Sequence, residues 1–170
     1  MKWLGAVLLI IASTCIGMYI SNRFEKRPKH IRQLQSALQL LEAEITYSQS
    51  PLQMAFRTIA NQLPFPVSQF FHLLSEDMKT AETDFTILWN KRAEELAELA
   101  SYRKNEVEIL KQFGSSLGQH DFIQQQKQIR LALTHLEREL EDARDEHHKY
   151  SKLARSLGVL LGVFIVLLLV

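Results

Sequence analysis

A single cysteine, Cys15, leaves this chain without an internal disulfide. It sits inside an apolar run, the wrong solvent for a reactive thiolate. Glycine and proline are scarce, six and four among 170 residues, too few for a turn-rich sheet protein. Net charge is also nearly absent. Twenty Lys and Arg against nineteen Asp and Glu leave +1, and without a basic stripe the chain is not read as a nucleic-acid binder. Catalytic signatures are missing too: there is no His-Glu-x-x-His zinc helix, no phosphate-cradling glycine loop and no nucleophile elbow. No enzyme is read here. Paired Glu-x-x-His motifs, which would build a di-iron site inside a bundle, do not occur either. His147 and His148 beside Asp145 and Glu146 are neighbours on one helix, point in different directions and have no matching ligand helix. They are read as seam or interfacial histidines, with no metal and no cofactor expected.

What the chain has is two apolar segments at its extremes, Trp3 to Ile20 and Leu157 to Val170. The first holds about 18 uncharged residues, which at about 1.5 Å each nearly span a hydrocarbon core of about 30 Å. The second counts about 14 from Leu157, but Leu153 and Ala154 extend its apolar face and Arg155 can snorkel at the near interface. It has no polar face to turn toward water. The expected division is therefore a transmembrane helix over 1–21, a helical bundle over 22–155 and a second transmembrane helix over 156–170. Arg23, Lys26, Arg27, Lys29 and Arg32 follow the first segment and Lys149, Lys152 and Arg155 precede the second, whereas the outer flanks offer only Lys2. That bias makes the bundle cytoplasmic and sends both termini to the opposite side. A cleaved signal is disfavoured by the length of the first run, and a lipoprotein site by Ala12-Ser13-Thr14 before Cys15.

The middle repeats its apolar residues at helical spacing, so the fold class is all-α, a cytoplasmic bundle of about six helices flanked by N- and C-terminal transmembrane helices. The first helix should start near Pro28 and run to about Gln49, with a seam of Ile31, Leu34, Leu38, Leu41, Ile45 and Ser48. Ser50 as cap, Pro51 in the first turn and Gln53 completing a capping box predict a short second helix to about Gln62. Leu63-Pro64-Phe65-Pro66 breaks it, and a third helix carries Phe70, Phe71, Leu74 and Met78. A fourth, capped by Thr83 or Asp84, carries Phe85, Leu88, Trp89, Leu96 and Leu99 and ends in a bend at Ser101 to Asn105. A fifth carries Val107, Leu110, Phe113 and Leu117, with Gly118 as its C-terminal cap. The sixth starts at Asp121 and Gln124, and its seam of Phe122, Gln126, Ile129, Leu133, Leu136, Leu140, Ala143, His147, Tyr150, Ala154 and Leu157 has no break. One rod entering the bilayer is favoured over a loop near Glu146 to Lys152.

Candidate binding residues follow from charge and spacing. Glu42 and Glu44 flank the first helix's seam rather than lying opposite it, and Glu137, Glu141 and Asp145 belong to the acidic excess of the sixth helix. Together they form a candidate partner-binding surface, although most of the sixth helix's charges also fit a solvated face with internal pairs. In the apolar segments, Gly158 and Gly162, and more weakly Ser13 and Gly17, have the four-residue spacing that lets membrane helices pack closely.

Leu38 to Ile45, Tyr47, Ser50-Pro51-Leu52, Trp89, Phe113-Gly114-Ser115-Ser116-Leu117-Gly118 before Asp121, Lys149-Tyr150 and the terminal apolar tail, in this order, resemble stage III sporulation protein AB of endospore-forming bacteria. Ser48 stands where that family has glycine after the tyrosine. The resemblance implies a non-enzymatic component of the mother-cell membrane around the forespore, part of a secretion-like channel complex. It also implies a cytoplasmic domain similar to the inner-membrane platform protein of type II secretion and type IV pilus machines. The implied partners are a cytoplasmic secretion-type ATPase, stage III sporulation protein AA, and other membrane proteins of the same operon. The oligomeric state is left open. Of the other classes, a two-span sensory receptor needs the bundle outside and an output domain after the second span. A membrane-remodelling protein needs a basic amphipathic surface helix, whereas helix one starts basic and ends acidic.

Overall fold

The computed structural model describes residues 26–48, 50–80, 84–117 and 122–169. Among them the protein is all α, with six α-helices, one π-helical turn and no strand. The helices are α1 (Lys26–Ala43), α2 (Leu52–Gln62), α3 (Val67–Thr80), α4 (Phe85–Ala100), α5 (Lys104–Ser116) and α6 (Phe122–Leu169), and the π-turn, Glu44–Ser48, continues from α1. Two compact units are distinguished. One is Lys29–Glu141; the other combines Met1–Pro28 with Asp142–Val170. The expected first transmembrane helix lies outside the described residues. Among the described residues no helix is long and apolar enough to cross a membrane.

The Lys29–Glu141 unit is built on the expected periodicity. Ile31, Leu34, Leu38 and Leu41 of α1 are buried, as are Phe70, Phe71 and Leu74 of α3, Leu110 and Phe113 of α5, and Ile129, Leu136 and Leu140 of α6. Consecutive helices α2 to α5 pack on one another in chain order. Around Trp89 the rings of Phe56, Phe70, Phe71, Phe85 and Phe113 gather with centroids 5.1–6.5 Å from the indole, three of them edge-on, the arrangement that ring quadrupoles favour. The indole Nε1 donates to the Leu110 carbonyl at 2.7 Å. It can reach that backbone because residue 114 has no side chain: a Cβ there would stand 2.0 Å from Trp89 Cδ1.

Local signals explain both ends of α4 and the start of α5. Asp84 caps α4 by accepting from the Thr86 N–H at 2.7 Å. Ser101 ends α4 in the left-handed region, φ 61°, and the Tyr102 N–H returns to the Ala97 carbonyl. Glu106, fully buried, accepts from the Arg103 N–H at 2.9 Å and closes the start of α5. The same corner holds α1: the Tyr102 hydroxyl donates to the His30 carbonyl at 2.7 Å, and His30 Nδ1 donates to the Ala100 carbonyl at 2.9 Å. Burial, and secondarily the charge of Glu106, pushes the Tyr102 phenol well above its usual range. On α3 and α4, Arg92 grips Asp77 through two hydrogen bonds of 2.7 and 3.0 Å and also donates to Glu95 at 2.7 Å. The guanidinium bond holds the Asp77 carboxyl below the usual carboxylate range.

Several expectations are corrected. The seam of α1 does not continue through Ser48: the π-turn winds wider than an α-helix, so Ile45 is half-buried and Ser48 exposed. The capping box at α2 does not form. Pro51 itself occupies the N-cap without a side-chain bond, and the Gln53 amide turns instead to the Ser75 carbonyl on α3 at 3.3 Å. Leu99 is 46% exposed, because steps of four, three and four from Trp89 bring Ala93, Leu96 and Ala100 to the core. For the same reason Ala132, not Leu133, takes the buried place on α6. Leu117, in extended conformation, closes α5, and the expected cap Gly118 lies outside the described residues. The uninterrupted sixth helix is as expected: α6 runs through Glu146 to Lys152 without a loop.

Candidate interaction surface

α1 runs into the π-turn on one side of a groove whose other side is α6. Gln39, Glu42, Ala43, Thr46 and Tyr47 contribute from the first, Gln126 and Arg130 from the second, around a volume of about 300 Å³. The π-turn matters locally, because its wider winding leaves Tyr47 86% exposed while Leu41 on the preceding α1 is fully buried. Arg130 Nε donates to Glu42 Oε1 at 3.2 Å, with the arginine side chain 69% exposed and the glutamate 22%. An ion pair this open to water contributes about 0–1 kcal/mol, so its interest lies in the charge it presents. One turn away from the groove, Gln35 Nε2 donates to Glu137 Oε2 at 2.7 Å.

The five acidic candidates are thus not equivalent. Glu42 and Glu137 are occupied by Arg130 and Gln35. Glu44 is half-buried in the π-turn, Glu141 is exposed, and neither enters a hydrogen bond or ion pair among the described residues. Asp145 is exposed but belongs to the other unit. In that unit Arg27 Nη1 pairs with Glu146 Oε2 at 3.2 Å, and the rings of His147 and His148 lie 5.8 Å apart, with His147 Nδ1 buried and without a hydrogen bond. Among the described residues no group of three His, Cys, Asp or Glu side chains comes together as metal ligands. Gly158 and Gly162 fall within the helical span of α6, though their surroundings, like Ser13 and Gly17 themselves, lie outside the described residues. Sequence reading missed Arg130 and Gln126 as groove residues. Arg130 is 88 positions from its partner, and no local pattern marks that pairing.

The whole chain can be set against known proteins. The family model for stage III sporulation protein AB matches residues 2–170. The chain belongs to the stage III sporulation protein AB family. A curated member from Bacillus subtilis (strain 168), named stage III sporulation protein AB, is 43% identical over 169 residues, 99% of either chain. A solved structure of stage III sporulation protein AB superposes with a TM-score of 0.67 at 45% identity, covering 72% of this chain and 97% of that one. Trp89 and Gly114 are a packing pair in the core, whereas Tyr47 stands on the groove, where it supports little of the core.

Proposed function

We propose that this member of the stage III sporulation protein AB family is a non-enzymatic membrane platform component of a secretion-like channel complex between mother cell and forespore. Its helical unit faces the mother-cell cytoplasm and couples a cytoplasmic ATPase, stage III sporulation protein AA, to membrane partners of the same operon. The apolar runs Trp3 to Ile20 and Leu157 to Val170 anchor it, and the Lys and Arg residues beside them hold the helical unit on the cytoplasmic side. The observation that carries this reading is the match over residues 2–170, which includes both apolar runs as well as the helical unit.

Docking of a basic ATPase surface falls to the acids that have no internal work, Glu44, Glu141 and Asp145, because reversing Glu42 or Glu137 would also break their bonds to Arg130 and Gln35. The test is capture of the purified ATPase by the detergent-solubilised full chain. Glu44→Lys with Glu141→Lys should reduce capture severalfold while the melting temperature stays in place. Undiminished capture removes this surface from the reading, and protease protection of the helical unit in intact cells, together with reporter fusions at both termini, tests the topology.

A further inference from the structure

We propose that the groove between the end of α1, the π-turn and α6 is a recognition site for a partner's peptide segment that carries a carboxylate beside an apolar side chain. This goes beyond the docking of a basic surface on the acids, since the groove presents the opposite charge. Glu42 is only 22% exposed and already bonded, so the charge open to solvent is Arg130, 69% exposed. Its bond to Glu42 uses Nε alone. The two Nη groups enter no hydrogen bond among the described residues, which leaves the planar fork that binds a carboxylate in bidentate fashion.

Tyr47 supplies the second half. It is 86% exposed on the same groove, and tyrosine and arginine are both enriched, with tryptophan, where a few residues carry a protein interface. A tyrosine also loses little rotamer freedom on contact, having two side-chain torsions. Gln39, Thr46 and Gln126, none of which is bonded elsewhere among the described residues, add donors and acceptors suited to a peptide backbone. About 300 Å³ lies at the lower end of ligand sites, which suits a short segment. A cationic peptide is disfavoured, because it would meet the exposed guanidinium before it reached the shielded Glu42.

The test uses the full chain in detergent micelles and two fluorescently labelled blocked tetrapeptides, one with two glutamates between leucine and phenylalanine, the other with glutamines in their place. Polarisation at low salt should show the glutamate peptide binding about tenfold more tightly, about 1.4 kcal/mol, with the gap shrinking as salt rises. Arg130→Gln should abolish the difference, and Arg130→Lys should keep part of it. Tyr47→Ala should weaken both peptides. Glu42→Gln, which removes the carboxylate charge beside Arg130, should tighten the glutamate peptide, an outcome that a merely structural ion pair does not give. Equal binding of the two peptides, or a preference that survives Arg130→Gln in a chain of unchanged melting temperature, overturns the proposal.

Discussion

Replacing Gly114 by alanine adds one methyl group to α5, a change that normally stabilises a helix by about 1 kcal/mol. Here the sign should reverse. The new Cβ would lie 2.0 Å from Trp89 Cδ1, 2.2 Å from Nε1 and 2.4 Å from Cγ. Reaching the 3.4 Å of ordinary contact requires a shift of roughly 1.4 Å, the difference between 3.4 and 2.0 Å. The indole has nowhere to go: it is fully buried, ringed by five phenylalanines and tied to the Leu110 carbonyl. Overpacking costs about 1–3 kcal/mol, and a strained or lost buried hydrogen bond about 1–3 more. After subtracting the propensity gain of about 1 kcal/mol, Gly114→Ala should destabilise by about 1–5 kcal/mol, a drop in Tm on the order of 10 °C. Thermal unfolding followed by far-UV circular dichroism reads it. In a Trp89→Ala background the clash is absent, and the same substitution should become neutral or mildly stabilising. A Tm unchanged by Gly114→Ala, or an equal loss in both backgrounds, would refute the assignment of Gly114 as the seat of the indole.

Other perturbations test the helix ends and the polar ties. Asp77→Asn should lower stability by about 1–2 kcal/mol at neutral pH by dismantling the two-bond grip of Arg92. Because the Asp77 pKa is lowered, its contribution is present in full above the unfolded value of about 3.9 and is lost as pH falls through the folded value. The wild-type and Asp77→Asn melting curves should therefore converge in acid, and a gap of constant size from pH 7 to pH 2 would contradict this. Tyr102→Phe removes the hydroxyl that donates to the His30 carbonyl and should cost about 1–2 kcal/mol in chemical denaturation. The raised phenol keeps its stabilising effect below about pH 10 and loses it as pH rises from there toward the folded value, so the wild type should weaken in alkali more steeply than Tyr102→Phe. Ser101→Gly removes a side chain from a left-handed backbone position and should raise stability by about 0.5–1 kcal/mol; a fall in Tm would show that the serine side chain supports the turn.

The helical architecture was legible because its signals are local. Three-four spacing of Ile31, Leu34, Leu38 and Leu41 identifies the buried face of α1 whatever that face meets, and Asp84 bonds a backbone group two residues ahead. Errors arose where a neighbour in space competed with a neighbour in sequence. Gln53 had a capping bond available and took the Ser75 carbonyl instead. The π-turn at Glu44–Ser48 carries no residue that announces it, and its effect, turning Ser48 and Tyr47 outward, follows from one extra residue of winding. Glu106 is a partial exception: an acid three residues into a helix is a recognisable capping partner, but its complete burial is not.

Periodicity and capping chemistry therefore account for the number of helices, their order and the apolar stripe on each, since backbone geometry converts residue spacing directly into a face. Which polar groups meet across those helices is a different matter. Glu42 and Arg130 are separated by 88 positions, and Trp89 reaches the Leu110 carbonyl across 21. Whether such groups come within 3.2 or 2.7 Å depends on how close two packed helices stand and how far each side chain extends, quantities that no stretch of chain encodes alone. The groove with Tyr47 on its wall is a product of that packing, and so is the place where a glycine must stay a glycine.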